Sequence, residues 1–130
     1  MSLKITLKPD ETIVINGCII KNSSRRHTMM VENFADIIRG ADILKEDEAN
    51  TPLKRVYFLI QTALLDKKLR DKVVPHIQKQ LAELFNIFSS EVKNDIMKTA
   101  NFVSASDYYK ALSSLRSAIK YEAKLLEISK

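Results

Sequence analysis

Residues 22–27, Asn-Ser-Ser-Arg-Arg-His, hold the chain's densest acid-free set of groups able to grip an anion. Lys21 stands immediately before them, and Lys8 and Arg39 belong to the same stretch of chain. An arginine at a turn tip can set its planar fork against a phosphate or a base edge. His27 closes this cluster. The residue types alone leave two readings open, a solvated turn and an anion-binding lip.

Chemistry beyond binding finds little footing. His27 and His76 fall in different halves, and neither has a second histidine or cysteine at metal-ligand spacing. No Gly-rich phosphate loop occurs, nor any nucleophile motif paired with a base. The expectation is a protein without catalytic residues, metal or cofactor. A second basic run, Lys67, Lys68, Arg70 and Lys72, is interrupted by Asp66 and Asp71 and reads as a solvated linker. Tyr108-Tyr109 could stack on bases. Tyr108, however, falls on the apolar seam of a helix, which favours core or interface packing. With Tyr57, Phe58 and Leu59 these residues form the candidate partner or oligomer surface.

The elements that would carry these groups change character partway along the chain. In residues 1–45, Leu3, Ile5 and Leu7 alternate with Lys4 and Thr6, the two-residue period of a half-buried strand. Lys8-Pro9-Asp10-Glu11 reads as a turn, and Asn16-Gly17 is the dipeptide of a tight hairpin. Further strands are expected at "CIIK", "HTMMVE", "IIR" and "ADIL", giving five or six short strands in a small antiparallel sheet or barrel-like unit. Cys18, the only cysteine, reads as a small buried hydrophobe in a reducing compartment.

From residue 51 to 130 the period is helical. Thr51-Pro52 is a helix start, with threonine capping and proline where its missing N–H costs nothing. The first helix carries Leu53, Val56, Tyr57, Ile60 and Leu64 on one face, with Phe58, Leu59 and Leu65 covering much of the rest, so it is central or shared with another subunit. A second helix is expected with Pro75 in its first turn, then a shorter piece around Val92, Ile96 and Met97. A last helix should be capped by Ser104, with a seam of Tyr108, Leu112, Leu115, Ile119, Glu122 and Leu126. The class is therefore α+β: a β unit that is the candidate binding half, then an antiparallel helical bundle for assembly and docking, packed as one chain.

At 130 residues this is one domain or two small units. A formal charge of +5 favours an anionic partner only mildly. The N-terminus carries acids and a proline too early for a secretory signal, and the most apolar run, "VYFLIQTALL", is about half of a membrane span. A cytoplasmic protein is expected.

Three segments together resemble the FlbT family of flagellin-synthesis repressors. They are "LKITLKPDETIVINGCIIKN", "TPLKRVYFLIQ" and "DYYKALSSLRSAIKYEAKLL". Length, order and spacing agree over essentially the whole chain, with one departure at Asp10, where the turn commonly has glycine. The resemblance implies a non-enzymatic regulator that acts on the 5′ untranslated leader of flagellin mRNA, lowering translation and promoting decay of the message through a separate nuclease. "KPDETIVI" and "IIRGADIL" are fainter in their likeness to carbon-storage regulators, small dimeric β proteins that bind leader RNA. Glu11-Thr12 matches that pattern, and Arg39 matches it with an offset of one.

With the resemblance added, Lys8, Lys21, Arg25, Arg26, His27 and Arg39 become RNA contacts, and the helical half supplies a homodimer or higher oligomer. The competing reading is a flagellar adaptor or chaperone that acts on flagellin or another regulator without touching RNA.

Overall fold

A computed structural model describes residues 2–128, and the chain divides between Ile43 and Leu44 into two units. The first is all strand and turn. β1 (Leu3–Leu7) pairs antiparallel with β4 (His27–Val31), in register from Leu3 opposite Val31 to Leu7 opposite His27. β2 (Thr12–Ile15) lies between β3 (Cys18–Lys21) and β5 (Ile37–Arg39), antiparallel to both. The alternation of β1 buries Ile5 and Leu7 against Ile13, and Ile15, Ile20, Met29, Val31 and Ile37 pack around them.

Turn chemistry holds these short strands in register. Asn16 and Gly17 both have positive φ, 50° and 79°, as a two-residue hairpin whose twist matches its strands requires. Asn16 also exchanges two bonds with Asp36: its N–H donates to the Asp36 carbonyl at 2.8 Å, and its Oδ1 accepts the Asp36 N–H at 2.9 Å. Asp10 takes φ 60°, a left-handed conformation that aspartate adopts more readily than most residues.

Two expectations for this half need correcting. "ADIL" is not a strand: Gly40–Asp42 form a 3₁₀ turn, closed by the Ile43 N–H donating to the Gly40 carbonyl at 3.2 Å. Cys18 is exposed rather than buried. It opens the edge strand β3, which contributes only Ile20 to the core.

Among its described residues the second unit holds four α-helices: α1 (Pro52–Leu65), α2 (Arg70–Phe85), α3 (Ser90–Ser104) and α4 (Tyr108–Ile128). α1 packs on α2 and α4, and α3 packs on the same two, so the expected α+β class holds, with a helical bundle as its second part. Thr51 caps α1 as expected, its Oγ1 accepting the Lys54 N–H at 3.2 Å, with Pro52 in the first turn. α1 buries Leu53, Val56, Tyr57, Ile60, Gln61 and Ala63, and α4 answers with Tyr108, Ala111, Leu112, Leu115, Ala118 and Glu122.

Pro75 lies inside α2, past its first turn. The helix begins earlier because Asp66 Oδ1 accepts the N–H groups of Lys68 and Leu69, and the N–H that proline lacks would have served only the exposed Asp71. Asp107 rather than Ser104 caps α4, accepting the Lys110 N–H at 3.1 Å, while Ser104 ends α3. Leu126 is 47% exposed and lies off the expected seam. Among the described residues no helix is long and apolar enough to cross a membrane.

Candidate nucleic-acid interface

The β1–β2 turn and the β3–β4 loop are bonded to one another. Asp10 N–H donates to the Ser23 carbonyl at 2.9 Å, and Asn22 N–H donates to the Glu11 carbonyl at 2.8 Å. The Asn22 side chain completes the joint. Its Nδ2 donates to the carbonyls of Lys8 at 2.7 Å, Arg25 at 2.8 Å and, more weakly, Leu7 at 3.3 Å. Its Oδ1 lies 3.0 Å from Nδ1 of His27, and Ser23 Oγ stands 3.5 Å from the same nitrogen. One carboxamide thus ties three carbonyls from two segments of backbone and one imidazole into a fixed tip.

That joint sets Lys8, Arg25 and His27 at one end of the β unit, with Arg26 within the loop and Lys21 beside Asn22 at the end of β3. All five side chains belong to exposed residues. Arg25 and Arg26 form no ion pair among the described residues. An exposed guanidinium with no carboxylate partner keeps its full charge and all its donors for an outside anion.

Arg39 is placed differently. Its Nε and Nη2 hold Glu11 Oε2 at 3.1 and 2.9 Å, and Nη2 also donates to the Thr6 carbonyl at 3.0 Å. The bond from the Lys8 backbone N–H to Glu11 Oε1 at 2.9 Å is the largest influence holding the Glu11 carboxyl below its ordinary value. The Arg39 guanidinium and the Lys8 charge act in the same direction against partial desolvation. The Arg39 charge is therefore largely neutralised within the unit, and it stiffens the turn that carries Lys8.

The remaining sequence candidates lie in the helical unit. Tyr57 is buried, its hydroxyl accepting from Arg116 Nη1 at 3.2 Å. Tyr108 is buried beneath the Arg70 guanidinium, 5.0 Å from its ring centre, while Arg70 Nε donates to the Ala63 carbonyl at 2.7 Å. Phe58, Leu59 and Tyr109 are half-buried and keep some surface. A separate apolar groove of about 410 Å³ runs between α2 and α3, lined by Leu81, Phe85, Ile96 and Met97 among others. Among the described residues no group of three His, Cys, Asp or Glu is placed to hold a metal ion.

Sequence reasoning named the cations and missed Asn22, which positions them. The signal available was an asparagine directly after a strand and before two serines, a side chain suited to bonding local backbone.

The family model described as "Flagellar protein FlbT" matches residues 3–126. Among similar curated proteins, the "Probable flagellum biosynthesis repressor protein FlbT" of Rhodopseudomonas palustris (strain TIE-1) is 38% identical over 129 residues, covering 97% of this chain and 98% of that one. The protein of the same name from Caulobacter sp. (strain K31) is 34% identical over 123 residues, covering 94% of each. The "Flagellum biosynthesis repressor protein FlbT" of Caulobacter vibrioides (strain ATCC 19089 / CIP 103742 / CB 15) is 33% identical over 123 residues, covering 94% of this chain and 87% of that one. No solved structure matches the chain.

Proposed function

The chain belongs to the FlbT family, a family of flagellar regulators rather than of enzymes, and from that premise we propose that it regulates flagellar synthesis by binding the 5′ untranslated leader of flagellin mRNA through the basic tip of its β unit. The observation that carries this reading is the exposure of Arg25 and Arg26, unpaired, on a tip whose backbone Asn22 fixes. Lys8 and Lys21 supply phosphate attraction, and the two guanidiniums meet phosphates or the edges of unpaired bases. A protein seated on the leader obstructs ribosome loading and lowers translation. Cutting the message falls to a separate nuclease, and the site of action is the cytoplasm, where the message is read. The helical unit assembles a homodimer or docks a flagellar protein.

The test is a mobility shift with the purified full chain and a transcript of the flagellin leader at low salt. The wild type should retard the RNA, and the double reversal R25E/R26E should abolish the shift with the thermal melt unchanged. A second reading, a flagellar adaptor that never touches RNA, is favoured by the α2–α3 groove, where Met97 is 48% exposed beside Leu81 and Ile96. No retardation by the wild type would select it.

A further inference from the structure

We propose that His27 makes a proton-linked contact of the RNA site: when doubly protonated it turns a donor outward beside Arg25 and Arg26, so that leader binding tightens as pH falls. The inference rests on the RNA reading above and adds its regulation.

The geometry fixes the tautomer. Asn22 Nδ2 sits within bonding distance of the Lys8, Arg25 and Leu7 carbonyls, which can only accept, so that atom is the amide nitrogen. Its partner Oδ1 is then an acceptor only, and His27 Nδ1, 3.0 Å away, must carry a hydrogen. In the neutral ring Nε2 is therefore a bare lone pair, which repels a phosphate oxygen. A second proton can go only to Nε2. The Asn22 bond is satisfied in both states, so the ring keeps its orientation while its outward nitrogen changes from acceptor to charged donor. The tip itself does not have to move.

The surroundings favour coupling to a polyanion. Lys8, Asp10 and Glu11 come from the β1–β2 turn, Lys21 from the end of β3, and Arg25 and Arg26 from the same loop, while the residue opposite in β1 is the uncharged Leu7. Glu11 is held by Arg39 and stays ionised through the neutral range. A phosphate chain seated at the tip is attracted more strongly to the charged ring than to the neutral one. RNA and proton thus favour each other, and the coupling is reciprocal.

The experiment measures binding of the flagellin leader transcript to the full chain across pH by filter retention. The dissociation constant of the wild type should fall by roughly three- to tenfold between about pH 8 and about pH 5.5. H27Q should lose that dependence, and H76Q, which removes the other histidine, should keep it. Ring-nitrogen NMR on the wild type gives a readout free of substitution: Nδ1 should be the protonated nitrogen in the neutral form, and saturating RNA should raise the titration midpoint of His27. Binding that is flat with pH, dependence that survives in H27Q, or a midpoint unmoved by RNA would each overturn the inference while leaving RNA binding in place. Absence of binding at every pH and at low salt would overturn the RNA reading and this contact with it.

Discussion

Glu11 and Arg39 lie 28 residues apart in sequence and meet through two nitrogens, Nη2 at 2.9 Å and Nε at 3.1 Å from Oε2, with Nη2 also 3.2 Å from Oε1. This pair fastens the end of β5 to the turn that begins β2. The Lys8 N–H, the Arg39 guanidinium and the Lys8 charge hold the carboxyl below its ordinary 4.5. The unfolded chain, with the higher value, therefore binds the proton more readily, and stability rises with pH between the two values. The contribution is complete above 4.5 and is lost as pH falls through the lower folded value. Hydrogen exchange at the Ile13 and Ile38 amides should show E11Q less protected than wild type at neutral pH, with the gap closing in acid. A gap of constant size would mean that the carboxylate charge contributes nothing.

Asn22 is the second lever on the tip. N22A removes the bonds to the exposed carbonyls of Lys8 and Arg25 and frees the His27 ring, and because water can replace the lost donor the cost is about 0.5–1.5 kcal/mol for each bond. The β strands keep their own ladders, so exchange protection in β2 should hold while the Asp10 and Asn22 amides, which bridge the two loops, lose theirs. RNA affinity should drop although no cation has been removed. Unchanged affinity would show that the arginines need no fixed tip.

The salt dependence of binding counts the phosphates met. For single-stranded RNA each neutralised phosphate adds about 0.7 to the slope of log affinity against log salt. R25A/R26A should flatten the slope by roughly 1.4 if each arginine meets one phosphate. R39A should leave it nearly unchanged, because Arg39 is already paired.

What could be read from the sequence follows the range of the interactions. Leu3, Ile5 and Leu7, Asn16-Gly17 and Thr51-Pro52 announce themselves within a few residues, because strand alternation, positive φ and helix capping are local. The cations of the tip were visible for the same reason. The Glu11–Arg39 pair, the reach of Asn22 to Lys8 and the clamp of Gln61 on both backbone groups of Leu44 join positions 14 or more residues apart, where spacing carries no signal. Cys18 misled because an apolar run gives no sign of which strand will lie at a sheet edge. Pro75 misled because Asp66 had already started the helix.

Gly40 is needed for closeness rather than for its φ. A Cβ there would stand 2.8 Å from the Thr12 carbonyl oxygen, a backbone atom fixed in β2 and unable to turn aside. G40A should cost about 1–3 kcal/mol through displacement of the chain after β5. Its melting temperature should fall, and exchange protection should fall first at Ile38, which pairs with Val14 across the β2–β5 ladder. A melt equal to wild type would mean that β5 can shift at no cost.

Glu122 tests how the helical unit tolerates a buried acid. Its Oε2 accepts the Leu53 N–H at 3.1 Å, 69 residues away, while Oε1 is buried without a hydrogen-bond partner among the described residues. Leu53 lies in the first turn of α1, where backbone N–H groups lack intrahelical acceptors and the helix dipole favours a negative charge. E122A should therefore leave that donor bare and open a cavity beside the fully buried Leu53, lowering stability by about 2–4 kcal/mol. E122Q separates the two effects, because its carboxamide oxygen can still accept from Leu53 while the charge and its burial cost disappear. If capping geometry dominates, E122Q should melt close to wild type and well above E122A. Equal losses in the two variants would assign the stabilisation to the charge.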